Sequence, residues 1–187
     1  MTRLFLFAIA ISCLLSCRPQ AGDENYVSWV RDYQNGMHVR QVQNDLAFDL
    51  QFQPSEYVWL QRNGNFDADA FESKRADLDQ MQYFTLNIYS SDGKTDIVKQ
   101  RAEGDEDREK ELLYYFSYRF QNDISVDDGS RQLPCTLFHY EQHGTKSFVL
   151  GFEKGEASLE DVTFIINSPL VDINPVKIKV STDPKVL

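Results

Sequence analysis

Two histidines and a glutamate late in the chain are the residues whose types and spacing best suit metal chemistry. His139, Glu141 and His143 occupy every second position. In an extended strand such positions project to one face, because side chains alternate with a period of two. Two imidazoles and a carboxylate could bind zinc, with water as the fourth ligand. However, His143 precedes Gly144, a turn-forming residue, so we expect His143 to leave the strand before the three side chains converge.

This spacing also differs from the helical H-E-x-x-H motif of metalloproteases. We therefore expect ordinary polar residues at a strand end, and we predict no catalytic residues, no metal and no other cofactor. A hydrolase or metal-dependent enzyme that uses His139, Glu141 and His143 remains the alternative to be tested.

A loop at residues 63–69 alternates Asn and Asp, as calcium-binding loops do. An EF-hand needs glycine at its sixth position and a bidentate glutamate at its twelfth, where this chain has Ala68 and Lys74. The same Asn and Asp residues are well suited to capping a helix. We therefore predict a helix start here.

The composition limits the classes of partner. The 187 residues include 19 Lys+Arg and 29 Asp+Glu, which gives a formal net charge of −10. Nucleic-acid binding and electrostatic docking to anionic lipid both depend on clustered Lys and Arg. The acidic balance therefore argues against both, while the 42% hydrophobic content is that of a globular domain.

The first residues, MTRLFLFAIAISCLLSCRPQ, have the organisation of an export signal. Arg3 supplies a positive charge, and the mainly apolar stretch that follows ends at Leu15. As a helix this stretch rises only about 18 Å, too short to cross a bilayer core of roughly 30 Å. It ends in the tetrapeptide Leu-Leu-Ser-Cys, at residues 14–17, which resembles the lipobox of bacterial lipoproteins.

The lipobox resemblance implies removal of residues 1–16 and attachment of a diacylglyceryl group to the Cys17 thiol. The protein would then be anchored to a membrane of the cell envelope through this lipid, with residues 17–25 as a flexible tether. Arg18 stands where many lipoproteins retained at the inner membrane carry Asp, so the resemblance favours the outer membrane. Cys135 would be the one cysteine left in the mature chain outside the anchor, and we predict a structural thiol there.

Alternating apolar residues predict a sheet. Leu46, Phe48, Leu50 and Phe52 describe a half-buried strand that forms a hairpin with the residues before it. We expect Phe48 and Phe52 to face the core and Asp49 to face solvent, where its replacement should change little. Short spacing between strands favours antiparallel pairing. Strands are predicted at residues 37–42, 46–53, 84–88, 124–126, 133–140, 147–152, 162–167 and 176–180.

Helical periodicity or capping predicts four helices, at residues 26–33, 54–60, 67–82 and 105–120. The order of elements favours an α+β fold: mainly an antiparallel β-sheet or sandwich-like meander with three or four helices packed on it. No linker divides the remainder of the chain, so we predict a single domain at 26–187.

The leading hypothesis for function is a membrane-anchored envelope lipoprotein with a non-enzymatic binding or structural role. It resembles small envelope lipoproteins only in its lipobox, tether and β-rich domain. Tyrosines on the polar side of the predicted elements would suit an envelope protein or glycan partner. The alternatives are the envelope hydrolase described above and an accessory subunit of an envelope assembly. The tyrosines are Tyr83, Tyr89, Tyr115, Tyr118 and Tyr140.

Overall fold

The computed structural model describes residues 21–22, 24–93, 95–143, 145–154 and 161–183, with only the main chain for residues 142, 143 and 145. The predicted signal, including Cys17 and most of the tether, lies outside the described residues.

In the described residues, eight strands form one sheet in which every neighbouring pair is antiparallel. The order across the sheet is β1-β2-β3-β6-β5-β4-β7-β8. This confirms the α+β class, the mainly antiparallel sheet and the predicted first hairpin. The strands are β1 (His38–Gln43), β2 (Leu46–Gln53), β3 (Met81–Ser90), β4 (Ile124–Asp127), β5 (Gln132–His143), β6 (Thr145–Glu153), β7 (Asp161–Ser168) and β8 (Ile173–Ser181).

Strand β5 joins two halves of the sheet. Its first residues pair with β4, and from Cys135 onwards it pairs with β6, with a register shift between Cys135 and Leu137. A bulge of this kind bends a strand and re-aims its side chains. The position facing the bulge is Gly151, where an added Cβ would lie 2.9 Å from the Leu137 Cβ. A glycine is therefore required where the bent strand approaches β6.

The sheet curls until its two edges approach each other. The Ser181 amide at the end of β8 donates a hydrogen bond to the Gly36 carbonyl just before β1, at 2.9 Å. Inside, the Phe164 ring of β7 lies 5.6 Å from the Phe84 ring of β3 and 5.7 Å from the Phe152 ring of β6. Since β7 is not a sheet neighbour of β3 or β6, the two halves face each other across the main core.

Aspartates begin three of the helices. The side chains of Asp67, Asp96 and Asp105 each accept hydrogen bonds from main-chain amides in the first turn. The described residues contain five α-helices, instead of the three or four predicted. They are α1 (Tyr26–Arg31), α2 (Ser55–Asn63), α3 (Ala68–Leu78), α4 (Ile97–Ala102) and α5 (Glu106–Tyr114).

Two helices end more than three residues before their predicted C-terminal boundaries. The helix predicted at 67–82 ends at Leu78, because Met81 and Gln82 pair with β6 as the start of β3. The helix predicted at 105–120 ends at Tyr114 and continues as a π-helical turn, Tyr115–Arg119, and a 3₁₀ turn, Phe120–Asp123. The prediction had no helix at α4.

Helices lie on both the inside and the outside of the sheet. The main core holds apolar side chains of the strands together with those of α4 and α5, such as Val98 and Leu112. On the outer face, Phe71 of α3 and Val58 of α2 pack with Tyr83 of β3. Phe48 is 1% exposed and faces the core, as predicted. Within the described residues, none of the helices combines the length and apolar character needed to cross a bilayer.

Candidate functional site: a groove along strand β5

The structure extends the predicted metal strand but does not gather a metal site in the described residues. Strand β5 continues through His143, which pairs with Thr145, so the expectation that His143 leaves the strand is wrong for its main chain. Its side chain lies outside the described atoms. The His139 and Glu141 side chains are exposed. No group of three His, Cys, Asp or Glu side chains suited to a metal occurs in the described part of the chain.

The third histidine is remote from this strand. Successive partners across the sheet run from His38 to Gln51, Thr85, Val149 and His139. Four strand spacings separate the two histidines by about 19 Å along the sheet. The structure therefore does not bring His38 and His139 together. The neighbours of His139 are residues of β5 and of the π-helical turn.

The residues around His139 line a groove between β5 and the π-helical turn. This part of the groove has a volume of about 450 Å³, and we call it the aromatic section. Its aromatic rings come from both walls, with Tyr118 on the turn and Tyr140 on the strand. Ser117, Tyr118, Gln121, Phe138, His139 and Tyr140 line it.

The π-helical turn separates the buried rings of this segment from the exposed ones. Phe116 and Phe120 are fully buried against Phe148 of β6, at 6.0 and 4.9 Å between ring centroids. Tyr118, between them in the chain, is 63% exposed. Such turns insert an extra residue into a helix and occur often at functional sites. Burial of its neighbours thus fixes the main chain that presents the Tyr118 ring to solvent.

The Tyr140 ring packs beside an ion pair between the buried Lys146 and the half-buried Asp96. The Lys146 Nζ lies 5.9 Å from the Tyr140 ring centroid and 2.9 Å from an Asp96 carboxylate oxygen. Burial opposes the charged form of Lys146. The hydrogen bond that Lys146 donates to Asp96, the charge of that carboxylate and Tyr140 together outweigh burial, so the pKa of Lys146 is raised. This pair ties the N-terminus of α4 to β6, behind the wall of the groove.

A second groove section, the amide section, lies on the other side of the turn Phe120–Asp123. It measures about 370 Å³, and five of its side chains carry an amide, hydroxyl or carboxylate group. Gln132 donates to the Ser125 hydroxyl at 2.5 Å. The lining residues are Asn122, Asp123, Ile124, Ser125, Gln132, Pro134, Ile165 and Asn167. The two sections share the turn as a wall and β5 as a common strand, and together we call them the β5 groove.

A buried tyrosine orients the carboxylate of the amide section. The Tyr115 hydroxyl donates to Asp123 Oδ2 and also hydrogen-bonds the fully buried Ser168 hydroxyl. Burial, with the Asp123 carboxylate as the next cause, raises the pKa of Tyr115 far above its ordinary range. Tyr115 therefore remains a neutral hydrogen-bond donor and holds Asp123 in one orientation.

A separate polar cluster surrounds Asp49 at the opposite side of the sheet. Asp49 faces outward, as expected, but its side chain is only 14% exposed. Its two carboxylate oxygens accept from Tyr33 at 2.7 Å and His38 at 2.5 Å. The other ring nitrogen of His38 lies 2.7 Å from the Arg31 carbonyl. Asp49 thus links the start of the domain to the sheet. From these contacts we now expect its replacement to destabilise the domain, in contrast to the expectation from its outward position alone.

Cys135 has the environment predicted for a structural thiol. It is half-buried at the bulge of β5, and its thiol donates to the Leu137 carbonyl at 3.1 Å. Burial raises the pKa of Cys135 to about 11, which keeps the thiol protonated and unreactive.

The sequence predicts only some of the residues that line the groove. It indicates Tyr118 and Tyr140 as contacts for a partner and His139 as a candidate metal ligand, each separately. Nothing in the spacing of Asp123 and Asn167 indicates that they lie close together. They meet because β4 and β7 pair directly, with Ile124 opposite Ile166. Comparison with known families, curated proteins and solved structures finds no match to this chain.

Proposed function

We propose that this protein is a bacterial envelope lipoprotein, anchored through a lipid on Cys17, whose domain binds an envelope partner in the β5 groove. The proposed role is non-enzymatic. The lipobox-like residues 14–17 support the anchor, and Arg18 supports the outer membrane as its location. The acidic net charge supports attachment through the lipid instead of through a basic surface.

The observation that carries the binding role is the exposed Tyr118 ring held over a preformed groove. A tyrosine offers a large, stiff contact area and a hydrogen-bonding tip at low entropic cost. Each groove section has a volume in the range of small-ligand sites. Since the neighbouring rings Phe116 and Phe120 are locked in the core, little ordering is required when a partner binds.

The arrangement of titratable groups favours binding over catalysis. General acid–base catalysis needs a base within hydrogen-bond reach of the reacting proton, oriented by a further group. Asp123 is already engaged with Tyr115, and His139 lies in the other section. These contacts are suited to holding a ligand in place.

The test is sedimentation with detergent-insoluble envelope material from the source cell. Full-length protein in detergent should co-sediment with this material, and Tyr118→Ala should lower the bound fraction at least about tenfold. Val42→Ala is the control, because Val42 is an apolar side chain that is 56% exposed on β1 and does not line the groove. Equal sedimentation of all three proteins would refute the proposed binding site.

A further inference from the structure

The two groove sections together offer the chemistry that recognises an uncharged carbohydrate. We infer that the β5 groove binds an uncharged oligosaccharide, with sugar hydroxyls held in the amide section and a sugar ring face packed on Tyr118. This inference rests on the proposed function and specifies the ligand class of the same groove.

The amide section matches the dual hydrogen-bonding character of sugar hydroxyls. Each hydroxyl donates one hydrogen bond and accepts others, and neighbouring hydroxyls of a sugar need paired partners. Asn122 and Asn167 are exposed amides, and an amide offers both donors and acceptors from one planar group. The Asp123 carboxylate adds an oriented acceptor, because Tyr115 already fixes one of its oxygens. Pre-orientation lowers the entropic cost of pairing with a hydroxyl.

The aromatic section matches the other surface of a sugar. A pyranose ring carries its C–H groups on its faces, and these pack against the face of an aromatic ring. Tyr118 is exposed in this section, while Ser117 and Gln121 supply hydrogen-bonding groups next to it. The partial positive charge on the C–H groups is attracted to the negative face of the ring.

The charges in the groove select against anionic ligands. Of the residues that line the groove in the described part of the chain, none is Lys or Arg, and Asp123 is an acid. The chain as a whole carries a formal net charge of −10. A sulfated or phosphorylated glycan would therefore be repelled, which leaves an uncharged one.

The groove also runs beside an unpaired stretch of strand. From Leu137 to Gln142, β5 pairs with β6 on one side, and no other described strand pairs with it. An extended peptide could add to such an edge. The amide section argues for a sugar instead, because its side-chain donors and acceptors would have no role in main-chain pairing.

Isothermal titration of the full-length protein in a non-glycosidic detergent tests the inference. The probes are maltotetraose and tetra-N-acetylchitotetraose as uncharged oligosaccharides, a heparin tetrasaccharide as the anionic one, and a Thr-Val hexapeptide. We expect binding of at least one uncharged oligosaccharide and at least about tenfold weaker binding of the heparin fragment.

Single substitutions test whether each groove section contributes to oligosaccharide binding. Tyr118→Ala should weaken oligosaccharide binding at least about tenfold, while Tyr118→Phe, which keeps the ring, should stay within about threefold. Asn167→Ala should weaken it about three- to tenfold through a lost hydrogen bond. Val42→Ala, at an exposed position of β1 outside the groove, should leave it unchanged.

The outcomes separate this inference from the proposed function. Binding of the peptide and not of the oligosaccharides, with the same dependence on Tyr118, would overturn the carbohydrate inference and keep the binding groove. No binding of either oligosaccharide at millimolar concentration would overturn the inference as well. Oligosaccharide binding that is indifferent to both Tyr118→Ala and Asn167→Ala would overturn the assignment to this groove.

Discussion

Replacement of Asp49 tests whether the outer polar cluster stabilises the domain. In the folded protein both ring nitrogens of His38 face oxygen acceptors, the Arg31 carbonyl and the Asp49 carboxylate. A neutral imidazole carries one N–H, so only the doubly protonated ring satisfies both acceptors. Tyr33 stacks on this ring at 3.9 Å between centroids and donates to the second oxygen of Asp49.

The size of the effect follows from the burial of the pair. Hydrogen bonds to charged groups contribute about 1.5–3 kcal/mol, and the loss of one partner leaves the other desolvated. The His38 and Asp49 side chains are each 14% exposed, so solvent screens the pair only in part. Tyr33 is 52% exposed and can replace its lost acceptor with water. We therefore expect Asp49→Ala to lower the free energy of unfolding by about 1–3 kcal/mol.

The dependence on pH has a defined sign. Burial alone would lower the pKa of His38, but the hydrogen bonds to Asp49 and the Arg31 carbonyl outweigh it, and the pKa lies above its ordinary value of 6.5. Burial would raise the pKa of Asp49, but the hydrogen bonds from His38 and Tyr33 outweigh it, and the pKa lies below 3.8. The His38 contribution is complete below pH 6.5 and is lost as the pH rises through its raised pKa. The Asp49 contribution is complete above pH 3.8 and is lost as the pH falls through its lowered pKa.

Urea denaturation followed by tryptophan fluorescence measures the effect, because Trp29 lies on α1 beside the cluster. The difference between wild type and Asp49→Ala should be largest near about pH 5 and smaller near about pH 9. Lys177→Ala, at an exposed position between the buried Val176 and Ile178 of β8, is the control and should change the free energy of unfolding by no more than about 0.5 kcal/mol. A penalty equal at both pH values, or equal to that of Lys177→Ala, would refute the reasoning.

Four further predictions follow from the sequence and the fold. Phe48→Ala should cost about 3–5 kcal/mol in urea denaturation through lost burial and a cavity; a cost below that of Asp49→Ala would contradict the core assignment. Gly151→Ala should cost about 1–3 kcal/mol in the same assay, because the added methyl group meets Leu137 at the bulge. Cys17→Ala should abolish labelling with a palmitate analogue and processing as a lipoprotein; unchanged labelling would contradict the anchor. The purified protein should contain far less than one equivalent of transition metal, and His139→Ala should leave its thermal stability nearly unchanged; stoichiometric zinc that disappears in His139→Ala would support the enzyme alternative.

The strands could be predicted from the sequence because their burial is one-sided. In β2, Leu46, Phe48 and Leu50 are buried, and a period of two is then visible in the residues themselves. The end of α3 could not be predicted in this way, since Leu78 and Met81 are spaced as on a helix while Met81 belongs to β3. Only the pairing with β6, a tertiary interaction, makes Met81 part of a strand instead of part of the helix.

The groove and the polar cluster could be predicted from the sequence less well than the fold. Helix α4 is short, and the Asp96 residue that caps it is also the partner of the distant Lys146. The outward position of Asp49 was predicted, but its bonds to Tyr33 and His38 depend on how the 3₁₀ turn Tyr33–Asn35 lies on β1. Alternation along a strand shows which side a residue faces and does not show what covers that side.

The strand order has a consequence for how the chain folds during its synthesis, when the N-terminal strands are complete first. Strand β3 pairs with β2 on one side and with β6 on the other, yet α4, α5, β4 and β5 all precede β6 in the chain. A chain delivered N-terminus first therefore holds an unpaired β3 edge, with Phe84 and Leu86 not yet covered by β6, until those four elements have arrived. Such long-range closure slows folding, and an open apolar edge invites association with other chains. The interval between the arrival of β3 and that of β6 is thus the period in which a chaperone would protect this protein most.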